Sequence, residues 1–320
     1  MKGRLVRSIA AVVVSAGLLA LLLARLELGP ALERFVGADP RAVAVAGLFS
    51  LVVLLLRALR FSALTRSAGL GVTTPAIAIQ VFLNRITPLR LGELSLPLLL
   101  QRHGGETFSG ALLGLLFVRL LDLAILVWAV ALSVAVRPEG AGAWSLAAAS
   151  LVLVVVLGTF RHWVGGLVRL LARATAPLAG GRLARIPAAV ERLAAAAGEI
   201  RRLDGKGHAA VALSSLGIFL GQTAMFGAIL AAYGIRLPAL DLIRGAAVAQ
   251  GGAALPIAAV GTVGTQEAAW VAGYAWVGVP LQDAIVTGVA AQLFTLAFAA
   301  LFALPAWTWL SLRRPGVERG

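Results

Sequence analysis

The stretch N-R-I-T-P-L-R-L-G-E, residues 84–93, decides how this chain can fold. It places polar and charged side chains between two apolar runs, residues 75–83 and 94–100. A helix needs roughly 20 apolar residues to cross the hydrocarbon core of a bilayer, and each run supplies about half of that number. The two runs therefore predict two half-helices that meet at a break inside the membrane. Such a break is stable only where protein or a hydrated cavity covers its backbone.

The composition is that of an integral membrane protein. Of the 320 residues 60% are hydrophobic and 13% are charged, and the mean hydropathy is +0.94, whereas soluble domains have about 25% charged residues. The chain has no cysteine, which excludes disulfides and thiolate metal sites, and its three histidines are scattered over separate loops. We expect neither a metal nor a cofactor. Loops facing anionic lipid explain the net charge of +14 better than a nucleic-acid site does.

Six apolar stretches are expected to cross the membrane as full spans. They cover residues 9–24, 42–64, 108–136, 144–160, 209–233 and 281–310. The second span ends in Arg57, Arg60 and Arg66, which we expect in the cytoplasm because basic residues concentrate on the inner side. Both termini are then cytoplasmic. Two broken re-entrant segments, residues 75–101 and 239–277, complete a polytopic all-α bundle.

The chain is predicted to be a single transmembrane domain built around an inverted repeat. Residues 1–41 form the first helix and an outer loop, 42–136 the first repeat, 137–208 the fourth span with a basic amphipathic cytoplasmic segment, 209–310 the second repeat, and 311–320 a cytoplasmic tail. Gly92 corresponds to Gly264 at an offset of 172, and Arg119 to Gln292 at 173. One broken segment enters from the inside and the other from the outside, a plan typical of secondary transporters.

Polar residues at and near the two breaks are the candidate site. The candidate substrate-binding residues are Asn84, Arg85, Arg90, Glu93, Arg119, Asp122, Gln266 and Glu267. The candidate helix-breaking residues are Pro88, Gly92, Pro256, Gly261 and Gly264. An arginine inside a bilayer is tolerated only when it is paired or hydrated, and its planar fork of donors suits a phosphate. Two hypotheses follow: Arg90, with Arg119 or Arg85, binds a lipid phosphate, or the pairs Arg90 with Glu93 and Arg119 with Asp122 form an internal network.

The two glutamates, Glu93 and Glu267, lie at matching places in the repeats. That position suggests gating or proton coupling, because burial favours the protonated carboxyl. The competing interpretation is that each carboxylate caps backbone N–H groups at its own helix break.

Three motifs resemble the transmembrane region of lysylphosphatidylglycerol synthases. They are N-x-x-x-P-x-R-x-G-E at residues 84–93, R-x-x-D at 119–122 and G-x-x-G-x-x-E at 261–267. The resemblance covers nearly the whole chain and implies a flippase-like protein that moves lipid across the bacterial cytoplasmic membrane. Full-length synthases also have a soluble aminoacyl-transfer domain, and no residues after Trp309 could supply one. We therefore expect no enzymatic activity.

The expected function is translocation of an anionic phospholipid or a related amphiphile. Two alternatives stay open. The first is a proton-coupled secondary transporter of a small solute, which would use Glu93 and Glu267. The second is a non-catalytic membrane subunit of an envelope lipid or glycan pathway, with residues 161–206 docking a partner enzyme.

Overall fold

A computed structural model describes residues 37–65, 68–135, 205–254 and 264–313, together with the single positions 144, 148, 151, 170 and 173. The four ranges contain only helices and their connections. The helices are α1 (Pro40–Leu64), α2 (Leu70–Ile86), a 3-10 helix (Pro88–Leu94), α3 (Ser95–Gly104), α4 (Phe108–Ala135), α5 (Gly205–Ala232), α6 (Ala239–Ala254), α7 (Thr265–Trp276) and α8 (Leu281–Leu312). The all-α class predicted from the sequence is confirmed.

Four helices are long and apolar enough to cross a membrane. They are α1, residues Phe108–Ala131 of α4, residues Ala209–Ala232 of α5, and α8. Each coincides with a predicted span. The other two predicted spans, residues 9–24 and 144–160, lie outside the described ranges.

The surface of α1 shows how such a helix is divided between protein and lipid. Leu48, Leu55 and Leu59 are exposed, whereas Ala58 and Phe61 are buried against the rest of the bundle. Its hydrophobic residues cover the whole circumference, so the buried stripe packs against α5 while the exposed leucines suit hydrocarbon.

The first broken segment is a helical hairpin formed by α2, the 3-10 helix and α3. At its tip the Thr87 hydroxyl donates to the Leu83 carbonyl at 2.7 Å and accepts from the Gly92 N–H at 2.8 Å. Gly92 is required there, because a Cβ would lie 2.5 Å from the backbone nitrogen of Asn84. The predicted break is therefore present, and Thr87 satisfies the backbone groups that it frees.

The second broken segment is a hairpin of α6 and α7, which pack closely along their glycines. A Cβ on Gly273 would lie 2.6 Å from the Gly245 carbonyl oxygen, and one on Gly252 would overlap the Cβ of Ala269. Small residues allow helix backbones to approach in this way where lipid gives little hydrophobic drive for association. The predicted breaks at Pro256 and Gly261 lie outside the described residues.

The contacts fix which end of the bundle each hairpin opens toward. The Asp39 N–H donates to the Ala232 carbonyl at 2.9 Å, which joins the start of α1 to the end of α5 and the nearby start of α6. We call this the Asp39 end. At the opposite end, the Gly71 end, Trp309 Nε1 of α8 donates to the Gly71 carbonyl at 3.4 Å.

The first hairpin opens at the Gly71 end, where a Cβ on Gly104 would lie 2.9 Å from the Cβ of Ala68. The second hairpin opens at the Asp39 end, since α6 begins just after α5 and α7 returns along it. The end of α2 and the start of α7 lie close together, since Arg85 of α2 contacts Gln266 of α7.

Neighbouring glycines of α6 provide a matched test of this packing. Gly252→Ala should lower stability by about 1–3 kcal/mol, because the added methyl overpacks the contact with Ala269. Gly251 has no atom within 4 Å of its ideal Cβ, so Gly251→Ala should raise stability by about 0.5–1 kcal/mol through helix propensity alone. Thermal unfolding of the purified variants in one detergent measures both. Equal melting temperatures for the two variants would contradict the packing.

Candidate functional site

The tips of the two hairpins are joined by one guanidinium. Arg85, near the end of α2, donates from Nη1 to the Gln266 side-chain oxygen at 3.4 Å and to the Gln292 side-chain oxygen at 3.2 Å. Gln266 is the second residue of α7, and Gln292 lies within α8. Arg85 and Gln266, both candidate site residues, are thus brought together.

A cavity of about 100 Å³ lies beside this junction. Its polar lining consists of Arg57, Arg85, Arg119, Asp122, Ser215, Gln222, Gln250 and Gln266. Three arginines against one aspartate favour an anion over a cation in this cavity.

The charged residues of this region pair between helices. Arg119 on α4 donates to Glu93 at the first tip, with Nη2 and Oε1 2.7 Å apart. Arg60 on α1 contacts Asp122 on α4 through both carboxylate oxygens and also donates to the Ser215 hydroxyl at 3.0 Å. The predicted pair of Arg119 with Asp122 is therefore wrong. Residues three apart on one helix can meet, but each here finds an oppositely charged group on a neighbouring element.

The prediction that Arg57 and Arg60 mark the cytoplasmic end of the second span is also corrected, because both residues lie within α1. Helix α1 continues to Leu64, so Arg57 lies about 10 Å inside that end at 1.5 Å per residue. Arg60 is only 3% exposed. The predicted span already ran to Leu64, so the positions of Arg57 and Arg60 before its last residues were the available signal.

Arg57 has neither a hydrogen bond nor an ion pair from its side chain within the part of the chain that the structure describes. It lines the 100 Å³ cavity and also an adjoining one of about 40 Å³, and Arg85 and Gln222 line both as well. Asp122 attracts its charge, whereas Arg60, Arg85 and Arg119 repel it. A half-buried guanidinium among other positive charges favours the approach of an anion.

Gln250 adds a polar group that the sequence analysis missed. It lies in α6, it is 9% exposed, and its Nε2 is buried without a hydrogen-bond partner among the described residues. Gln250 lines the cavity of about 100 Å³, so its amide offers a hydrogen-bond donor to a ligand in that cavity.

Glu267 and Asn84 belong to the helix breaks themselves. The Gly264 N–H donates to Glu267 Oε2 at 2.7 Å, so the carboxylate caps the backbone at the start of α7, where Gly264 has a φ of 86°. Capping, one of the two interpretations of Glu267, is thus present. Asn84 is 9% exposed and packs against Gly92. The side chains of Arg90 and Pro88 lie outside the described part of the chain.

Comparisons with known proteins give one match. Residues 8–303 match the family described as the lysylphosphatidylglycerol synthase TM region. Among the curated proteins and the solved structures, none matches the chain. In the described ranges no group of histidine, aspartate and glutamate residues is arranged to hold a metal ion.

The ion pair of Arg60 and Asp122 predicts a strong non-additive effect. Asp122→Asn should destabilise the protein by roughly 3 kcal/mol, because it leaves the guanidinium of Arg60 buried without a counter-charge. Adding Arg60→Met should recover most of that loss, since no buried charge is then left. A double-mutant cycle on thermal stability measures the coupling. Additive effects would show that the two residues do not interact.

Proposed function

Because the chain belongs to the lysylphosphatidylglycerol synthase transmembrane-region family, we propose that this integral membrane protein moves an anionic phospholipid across the bacterial cytoplasmic membrane. The observation that carries the proposal is the cavity between the hairpin tips, with three arginines and one aspartate in its lining. The lipid headgroup enters this cavity, and the acyl chains stay in the bilayer.

The chemistry of the lining supports a phosphate ligand. A guanidinium presents parallel N–H donors that match two phosphate oxygens. Arg57 needs no partner to be displaced before it binds, whereas Arg119 exchanges Glu93 for the ligand or keeps both. The Gln250 amide, from α6, supplies a neutral donor to the same cavity.

The hairpins support an alternating-access mechanism. Two hairpins that open at opposite ends of the bundle fit an inverted repeat, with each hairpin re-entering the membrane from its own side. Arg85 links the first tip to Gln266 of α7 at 3.4 Å and to Gln292 of α8 at 3.2 Å, and both hydrogen bonds are long and correspondingly weak. The cavity of about 100 Å³ lies beside these contacts. We infer that the tips separate when a headgroup enters.

The Gly71 end is assigned to the cytoplasm. Arg102 and Arg313 are exposed there, and Arg314 and Arg319 follow in the sequence. This orientation obeys the positive-inside rule and agrees with cytoplasmic termini. We propose transport without catalysis.

Arg57→Gln provides the decisive test in proteoliposomes. We expect the rate of fluorescent phosphatidylglycerol translocation, followed by dithionite quenching, to fall roughly tenfold, which corresponds to about 1.4 kcal/mol of lost binding. We expect the thermal stability to stay equal or to rise, because removing a buried arginine relieves an insertion cost of about 2.5–3.5 kcal/mol. A residue with a merely structural role would lower stability and transport together.

Controls identify the function class. Arg41→Gln removes an equivalent charge from an exposed position at the Asp39 end and should leave transport unchanged. Wild-type protein that moves no lipid on its own would contradict the proposal and favour the subunit alternative. Rates that follow an imposed pH gradient would favour the proton-coupled alternative. Glu267 already caps its own helix. In the proton-coupled alternative, Glu93 is therefore the one of the two glutamates that is left to carry the proton.

A further inference from the structure

A second cationic pocket lies at the Gly71 end. It is separate from the 100 Å³ cavity lined by Arg57, Arg85 and Arg119, which we call the central cavity. Its volume is about 310 Å³, and it lies between the end of α3 and the last turns of α8. The lining residues are Ile79, Leu99, Arg102, His103, Trp307, Leu310, Ser311 and Arg313. None of them takes part in the contacts between the hairpin tips.

Among the described residues that line the pocket, none is acidic. Arg102 and His103 end α3, and Arg313 follows α8. Arg313 lies over the ring of Trp309 at 4.7 Å, and that indole donates a long hydrogen bond of 3.4 Å to the Gly71 carbonyl. Two guanidinium groups thus face one space from two different helices, and an anion between them relieves their repulsion.

His103 contributes a hydrogen-bonding group rather than a charge. Its Nδ1 is buried and has no partner among the described residues. Burial, and secondarily the neighbouring Arg102, lower the pKa of His103 below its usual value, which favours the neutral ring. An imidazole in this state still offers an N–H to a phosphate oxygen.

The other half of the pocket is apolar. Ile79, Leu99 and Leu310 line it, and Trp307 is 54% exposed at its edge. Tryptophan at the end of a membrane-spanning helix is typical of the interface between headgroups and acyl chains. A pocket with arginines on one side and aliphatic residues on the other fits an amphiphile with a phosphate better than a free ion.

We propose that this pocket binds an anionic phospholipid of the leaflet at the Gly71 end. The phosphate contacts Arg102, His103 and Arg313, and the glycerol and first acyl carbons lie against Leu99 and Leu310. The bound lipid bridges the open end of the first hairpin and the end of α8. It therefore holds the base of that hairpin in place while the tip moves.

The test titrates dioleoyl phosphatidylglycerol into delipidated protein in detergent. Native mass spectrometry counts the bound lipids, and thermal unfolding reports the stabilisation. The double variant Arg102→Gln with Arg313→Gln should lose one bound lipid, with at least about a tenfold weaker apparent affinity for it. Both side chains are exposed, so the lipid-free melting temperature should match that of the wild type.

The matched control removes the same charge from the opposite end. Arg41→Gln with Arg236→Gln alters two exposed arginines near the Asp39 end and should bind lipid as the wild type does. Identical titrations of wild type and the Arg102/Arg313 variant would overturn the proposal. Equal stabilisation by inorganic phosphate would overturn the lipid assignment in favour of a free anion, and equal binding of phosphatidylcholine would overturn the requirement for net negative charge.

The pocket and the central cavity can be separated experimentally. Arg57→Gln should keep the lipid that depends on Arg102 and Arg313, since Arg57 does not line this pocket. Loss of that lipid in Arg57→Gln would overturn the separation of the two sites. Lipid binding at Arg102 and Arg313 is therefore measured independently of transport.

Discussion

The structure depends on how an apolar bundle accommodates arginines. A charged side chain in hydrocarbon is costly unless another group compensates it, and four guanidinium groups lie near the middle of this bundle. Three of them are compensated across helix boundaries: Arg60 by Asp122, Arg119 by Glu93, and Arg85 by two glutamine side chains. These contacts tie α1, α4, α8 and both hairpin tips to one centre. Among the described residues Arg57 is the exception, and it lines two adjoining cavities.

The sequence predicts the secondary structure of the described ranges well, because its signals are local. Two apolar runs that are too short to span, with Pro88 and Gly92 between them, leave few alternatives to a break. The structure adds why Gly92 is needed, which is the close approach of the Asn84 backbone. The glycines of α6 and α7 are visible in the sequence as well, but the partners they contact are not.

The candidate site was harder to predict because charge pairing is a tertiary property. Their spacing favoured a pair of Arg119 with Asp122. In the structure α1 brings Arg60 to Asp122, and the first hairpin tip brings Glu93 to Arg119. Arg57 and Arg60 were assigned to a helix end, since a basic cluster after an apolar run is the usual sign of one. Gln250 gave no signal at all: a single amide in a helix of small residues acquires meaning only when a cavity forms beside it.

The tip of the first hairpin has a consequence for energetics. Arg85, Arg90 and Glu93 together give it a net charge of one in the sequence, and the groups that Arg85 contacts on Gln266 and Gln292 are uncharged. Displacing this tip along the membrane normal therefore moves charge through the electric field of the bilayer. A full unit charge crossing 100 mV changes the energy by about 2.3 kcal/mol, and a partial movement by a proportionate share. Under the proposed orientation, with the Gly71 end inside, a negative interior pulls a positively charged tip toward its own base, so membrane voltage would bias the distance between the two hairpins.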